Sequence, residues 1–247
     1  MEIQKQFQMM PGQEKMVKDY YEKGYDRVYD TLELEQNLDD VEVFVRGVLE
    51  NYPEDETVSS YRLCEEMGKA LVQAYPDGRG ILLSAYRHKV PIFIPAFSDS
   101  EMGLDYCVHN LVRAKEGKPS RQFDPFIDLL EYEKWARAQK QMGIFTIGGG
   151  VPRNWAQQIS PYIEISSHRL GLELEELLRF RYGVRICPDS EHLGGLSGCT
   201  YSEGASWGKF VPVEDGGRYA EVLADATIAW PLITKAVMER VPNKPRP

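Results

Sequence analysis

The chain has 247 residues, with 43% hydrophobic and 27% charged side chains and a formal net charge of −9. This composition fits a globular protein with a sizeable core. The acidity argues against nucleic acid, whose phosphates require a basic face, and suits a cationic ligand such as a polyamine or simply aids solubility. No apolar run approaches the ~18 residues that span a bilayer. Met1-Glu2-Ile3-Gln4-Lys5 lacks the apolar core of a signal peptide. Cys64, Cys107, Cys187 and Cys199 form no Cys-x-x-Cys pair, which points to a reducing cytoplasm and away from structural zinc or disulfides.

In chain order, Glu14–Glu22 reads as a helix stopped by Gly24, within a helical extension over residues 1–24. Residues 25–34 read as a short connecting helix. Val41, Phe44, Val45, Val48 and Leu49 share one face of a helix over 38–49. Thr57 is a candidate cap for a helix running to Ala74, broken by Pro76-Asp77-Gly78. Residues 81–86 form a helical turn. The apolar run 90–97 reads as a buried strand with its carboxyl end at Asp99. Helices follow over 102–116 and 126–141. A second buried strand over 143–147 runs into Gly148-Gly149-Gly150, and a helix begins near Arg153. Residues 172–181 read as a helix, 184–187 as a strand, 222–226 as a last strand and 231–240 as the terminal helix, with 242–247 frayed.

Strands alternating with helices predict an α/β fold: a Rossmann-like, mostly parallel sheet flanked by helices, in one large domain. Ligands of open α/β sheets bind beyond the carboxyl ends of strands. Asp99, Gly148–Gly150 and the loop Gly194–Lys209 all follow predicted strands, which points to one shared site.

That loop carries the most distinctive chemistry. In Glu203-Gly204-Ala205-Ser206-Trp207-Gly208-Lys209 a lysine follows a Trp-Gly pair, with a carboxylate six residues earlier. An amine beside an aromatic wall, partly out of water, loses proton affinity and becomes a nucleophile that forms imines. The simpler reading is a solvated lysine at a strand end. The triple glycine is either a tight turn or, if a helix starts just after it, a backbone-amide cradle for phosphate. Asp99 is either a helix cap or a partner for a diol. Glu203 and Trp207 are either a solvated acid and a core indole or a cation site, and an indole face adds about 0.5–2 kcal/mol to such a site.

Gly194-Gly195-Leu196-Ser197-Gly198 with Glu203–Lys209, Gly148-Gly149-Gly150-Val151-Pro152 and Ala224-Asp225-Ala226-Thr227 occur in the order of motifs in deoxyhypusine synthase and its bacterial homologues. The resemblance runs from about Tyr25 onward and is weakest over 157–182. It implies that Lys209 is the nucleophile and that Glu203 and Trp207 hold the polyamine. It further implies that Asp99, Gly148, Gly149, Gly150, Ser197, Asp225 and Ala226 contact NAD. The implied reaction oxidises spermidine with NAD, releases 1,3-diaminopropane, passes the butylamine fragment to Lys209 and then to an acceptor amine, and returns the hydride. The family assembles as tetramers, which implies a homotetramer here, or a complex with an amino-terminal partner chain.

The chain also departs from that pattern. Asn154 stands where eukaryotic members carry histidine, and homospermidine synthases derived from the family also carry asparagine there. That tilts the expected acceptor from a protein lysine toward putrescine, although a helix cap is the simpler role for Asn154. Leu196 and Leu104 replace pocket acids. The family's Ser-Gly-Asn and Thr-Thr-Ala-Gly-Gly type elements, which complete the cofactor site from the amino-terminal side, are absent from these residues. The chain is therefore expected to be a single family domain over 1–247 without that segment. A non-catalytic subunit, or a homologue that binds polyamine or nucleotide, is the alternative. An unrelated Rossmann-like oxidoreductase is a third reading, and it requires net NADH formation.

Overall fold

Helix α1 spans Glu14–Glu22 and stops where Gly24 turns left-handed, at φ 71°. The computed structural model describes residues 14–28, 31–173 and 176–241, so residues 242–247 lie outside it. The chain divides between Asp124 and Pro125 into two compact units. Among the described residues no helix is long and apolar enough to cross a membrane.

In the first unit, Tyr25–Val28 (β1) and Thr31–Leu34 (β2) pair antiparallel, where the sequence suggested a connecting helix. Tyr25, Val28 and Thr31 favour extended backbone. The Glu35 amide, donating to the Gly24 carbonyl at 3.0 Å, ties the hairpin's ends together. Helices α2 (Glu35–Glu50), α3 (Ser60–Ala74), α4 (Ile81–His88) and α5 (Glu101–Lys115) follow. Ser59, not Thr57, caps α3 by accepting from the Arg62 amide at 3.3 Å. The core of this unit comprises Val45, Leu49, Tyr52, Val58, Leu63, Met67 and Phe97.

The apolar run over 90–97 forms no strand. Pro91 and Pro95 each remove a ladder donor, and the Ile94 amide is taken by the Ser60 hydroxyl at 2.7 Å. Asp99 therefore ends a 3-10 turn, Phe97–Asp99, and Ser100 caps α5.

The second unit is built on three parallel strands in the order β3-β4-β5: Met142–Ile147, Phe180–Ile186 and Arg218–Val222. Around them run α6 (Phe126–Arg137), α7 (Val151–Gln157), α8 (Ile159–Leu170), α9 (Tyr201–Ser206) and α10 (Ala226–Arg240). This is an α/β architecture with a parallel sheet, as the alternating pattern predicts. Four details differ. Strand β3 buries Met142 and Thr146 on one face but leaves Phe145 and Ile147 half exposed on the other. Residues 176–181 are not helical: Gly171 ends α8 left-handed at φ 67°, and β4 starts at Phe180 because β3 and β5 pair with it on both sides. Residues 174 and 175 of that predicted helix lie outside the described ones. Helix α6 ends at Arg137, four residues before Gln141. The last strand ends at Val222, and Asp225 caps α10 by accepting from the Thr227 amide at 2.8 Å.

Tyr201, Phe210 and Tyr219 pack into one cluster against β4. Tyr201 stacks on Tyr219 at 4.7 Å between centroids and meets Phe210 edge-on at 5.0 Å. A Cβ on Gly183 would lie 2.6 Å from the Tyr201 ring, whereas one on Gly47, in mid-helix α2, would meet nothing. Gly183→Ala should therefore cost about 1–3 kcal/mol by overpacking. Gly47→Ala should gain about 1 kcal/mol from helix propensity. Urea denaturation of the two variants should show opposite shifts of the midpoint. Equal shifts would contradict the close packing of Tyr201 on β4.

Candidate active site

The carboxyl ends of all three parallel strands carry candidate residues. Gly148 follows β3, the reactive stretch follows β4 by way of Cys187-Pro188, and Asp225 follows β5. This gathers the triple glycine, the reactive stretch and the Ala-Asp-Ala-Thr element at one edge of the second unit. Asp99 belongs to the first unit and follows no strand, so its predicted place beyond a strand end is corrected.

Gly148 and Gly150 take left-handed φ values of 77° and 73°, and the Gly148 amide donates to the Ile186 carbonyl at 2.8 Å. Helix α7 starts directly after Gly150. Between them Gly149 is pressed on the neighbouring loop, where a Cβ would come within 2.6 Å of Ser197 Cα. Cβ atoms at Gly148 and Gly150 would meet nothing within 4 Å. The turn therefore offers bare backbone beside Ser197, although Pro152 removes one amide donor from the first turn of α7. The Ser197 hydroxyl donates to Asp189.

The reactive stretch is partly helical, not a simple loop. Thr200 caps α9, its hydroxyl accepting from the Glu203 amide at 3.1 Å. The Thr-x-x-Glu spacing was a legible signal for that start. Gly208, left-handed at φ 72°, ends the helix, and the Lys209 amide returns to the Gly204 carbonyl at 3.1 Å. The Lys209 carbonyl accepts from the Phe180 amide at 3.0 Å, anchoring the lysine's backbone at the start of β4.

The Lys209 ammonium donates to Asn154 Oδ1 at 2.9 Å. Asn154 sits inside α7 and caps nothing there. Burial lowers the proton affinity of Lys209 from its usual 10.5; Arg153 lowers it further, while Cys199 and Glu203 oppose the shift. The Cys199 thiol lies 3.7 Å from a Glu203 carboxylate oxygen. Trp207 is 67% exposed, and Glu203 is exposed. Asp225 is exposed and engaged as the cap of α10, and Ala226 is the first residue of that helix.

Three residues were missed by sequence reasoning. Arg153 and Arg185, both buried, each donate to the carbonyls of Ser197 and Cys199. Arg185 also pairs with Glu221 at 3.0 Å, and Arg153 lies over the Tyr201 ring at 5.6 Å. Burial pushes the Tyr201 phenol up to about 12, so the ring faces Arg153 as a neutral group. The third is Cys199. An arginine between Val184 and Ile186 in an apolar strand was a visible signal, since arginine is almost never buried unpaired.

Two outcomes follow from this geometry. A lowered proton affinity leaves more free amine at any pH below 10.5, so Lys209 labelling by an amine reagent, followed by peptide mass spectrometry, should rise with a midpoint below 10.5. Asn154→Leu removes an acceptor that favours the ammonium and should lower that midpoint further. A wild-type midpoint at or above 10.5 would contradict the desolvation. Arg185→Met should cost about 1–3 kcal/mol in urea denaturation, because Glu221 loses its partner and the two loop carbonyls lose one of their two arginine donors.

Residues 3–237 match the family profile for deoxyhypusine synthase. The chain is 33% identical over 220 residues to "Probable deoxyhypusine synthase 2" of Methanosarcina acetivorans, an overlap of 89% of this chain and 59% of that protein. It is 35% identical over 217 residues to "Deoxyhypusine synthase-like protein" of Chlorobaculum parvum, over 86% of this chain and 57% of the relative. The chain thus spans about three fifths of the length of these relatives. A crystal structure described as that of a deoxyhypusine synthase from Entamoeba histolytica shares the fold with a TM-score of 0.51 and 18% identity, over 85% of this chain and 58% of that one. On its sequence match and its fold, the chain belongs to the deoxyhypusine synthase family.

Proposed function

We propose that the protein transfers a 4-aminobutyl group from spermidine to an amine acceptor through Lys209, with NAD as cofactor. The observation that carries this reading is the Lys209 amine itself. It is partly buried, low in proton affinity, held at 2.9 Å by Asn154 and backed by the carboxylate of Glu203. Lysine in such a setting is a nucleophile toward an oxidised amine carbon.

The residues at the strand ends fit a dinucleotide. Bare backbone at Gly148 and Gly150 permits close approach, with Ser197 alongside and Asp225 and Ala226 at the next strand end. When bound, NAD would take up and return a hydride at the amine-bearing carbon. Lys209 supplies the amine that receives the four-carbon fragment as 1,3-diaminopropane leaves, and the acceptor displaces it. Glu203 pairs with a substrate ammonium, and the exposed Trp207 indole offers its face to the polyamine chain. Asn154 orients the lysine and, being uncharged, does not repel the ammonium of putrescine as acceptor, giving homospermidine. A protein lysine, giving deoxyhypusine, is the other acceptor. Asp99 is a ribose contact in this reading only by its family resemblance.

The test is an amine chromatogram after incubation with spermidine, NAD and putrescine, with Lys209→Ala alongside. Homospermidine and 1,3-diaminopropane should accumulate in the wild type, and the variant should lose them by at least a hundredfold, about the loss expected on removing a group that acts in the transition state. Diaminopropane without homospermidine would move the acceptor to a protein lysine or water. No spermidine cleavage would overturn aminobutyl transfer in favour of a binding subunit.

A further inference from the structure

Two cysteine thiols meet the reactive stretch: Cys187 faces the Ser197 carbonyl at 4.0 Å, and Cys199 faces the Glu203 carboxylate. Cys64 and Cys187 are buried, Cys107 is exposed, and Cys199 is half-buried at the mouth of α9. Its thiol approaches Glu203 Oε1 at 3.7 Å, within reach of a sulfur hydrogen bond to a carboxylate. The backbone on both sides of this contact is fixed. The Cys199 carbonyl accepts from Arg153 at 2.8 Å and from Arg185 at 3.3 Å. Four residues on, the Glu203 amide is tied to the Thr200 hydroxyl at 3.1 Å. The remaining freedom of the pair lies in the glutamate side chain, which is otherwise exposed. A free glutamate loses rotamer entropy when a ligand immobilises it, and a contact already made removes part of that cost.

We propose that Cys199 is a positioning residue of the amine site: its thiol donates to the Glu203 carboxylate and orders it for an incoming ammonium group. The inference rests on the proposed reading of Glu203 as the polyamine's carboxylate. Glu203 also acts electrostatically on Lys209, opposing the effect of burial, so the contact belongs to the same site as the nucleophile. Cys199 touches no reacting atom in this arrangement. Its removal should raise the KM for spermidine and leave kcat nearly unchanged. A serine keeps a donor on the same backbone and should restore most of the affinity.

The experiment measures spermidine binding by calorimetry, which needs no turnover, on the wild type, Cys199→Ala, Cys199→Ser, Glu203→Gln and the double variant Cys199→Ala/Glu203→Gln. Ordering one long side chain corresponds to about a three- to tenfold effect on affinity. The expected pattern is a loss of that size for Cys199→Ala, recovery in Cys199→Ser, and no further loss when Cys199→Ala is added to Glu203→Gln. Additive losses would show that Cys199 acts on packing independently of Glu203 and would overturn the proposal. Unchanged affinity in Cys199→Ala would also overturn it. In both cases spermidine binding by the wild type leaves the proposed function standing. Absence of spermidine binding by the wild type would overturn both.

Discussion

Two buried guanidinium groups, Arg153 from α7 and Arg185 from β4, converge on the carbonyls of Ser197 and Cys199. They join the loop after β4 to the helix after the triple glycine. Two like charges this close to each other, out of water, are costly unless each finds acceptors. Burial lowers the proton affinity of Arg153, and Arg185 adds to the effect. Glu221 and the loop carbonyls offset that cost, so the loop cannot leave without taking both carbonyl acceptors from Arg153 and leaving Arg185 with Glu221 alone. Gly149 against Ser197, the cap of α9 and the place of Cys199 all follow from that clasp.

From there the lysine's environment is a matter of backbone geometry. The clasp fixes the start of α9, Gly208 ends that helix left-handed, and the Lys209 carbonyl is tied to the first amide of β4. With the backbone held at both ends, the side chain reaches Asn154 on α7 and is partly withdrawn from water. Desolvation turns an ordinary lysine into a usable nucleophile. The strand that carries Arg185 thus also anchors the backbone of Lys209.

Much of this was legible in the sequence, for identifiable reasons. The triple glycine after an apolar run, the Trp-Gly-Lys segment and the alternation of strands and helices are local patterns, and the parallel sheet agrees with the last of them. The misses come where tertiary partners override local pattern. Residues 90–97 look like a strand by composition, but Pro91, Pro95 and the Ser60 hydroxyl remove the donors of Pro91, Ile94 and Pro95. Residues 172–181 carry leucines at helical spacing, yet Phe180 and Arg181 are drawn into the sheet. Arg185 could be found only by asking where a charge inside an apolar strand finds its partners, and Arg153, on helix α7, carries no such local signal. That question requires the carbonyls of a loop that follows β4 in the chain, which local pattern does not supply.

The central claim is that Lys209 carries the four-carbon fragment. The most direct measurement is borohydride trapping during incubation with spermidine and NAD, followed by peptide mass spectrometry. The account predicts an aminobutyl adduct on the peptide containing Lys209, and none when that residue is alanine. An adduct on another lysine, or cleavage of spermidine with no trapped adduct at all, would contradict it.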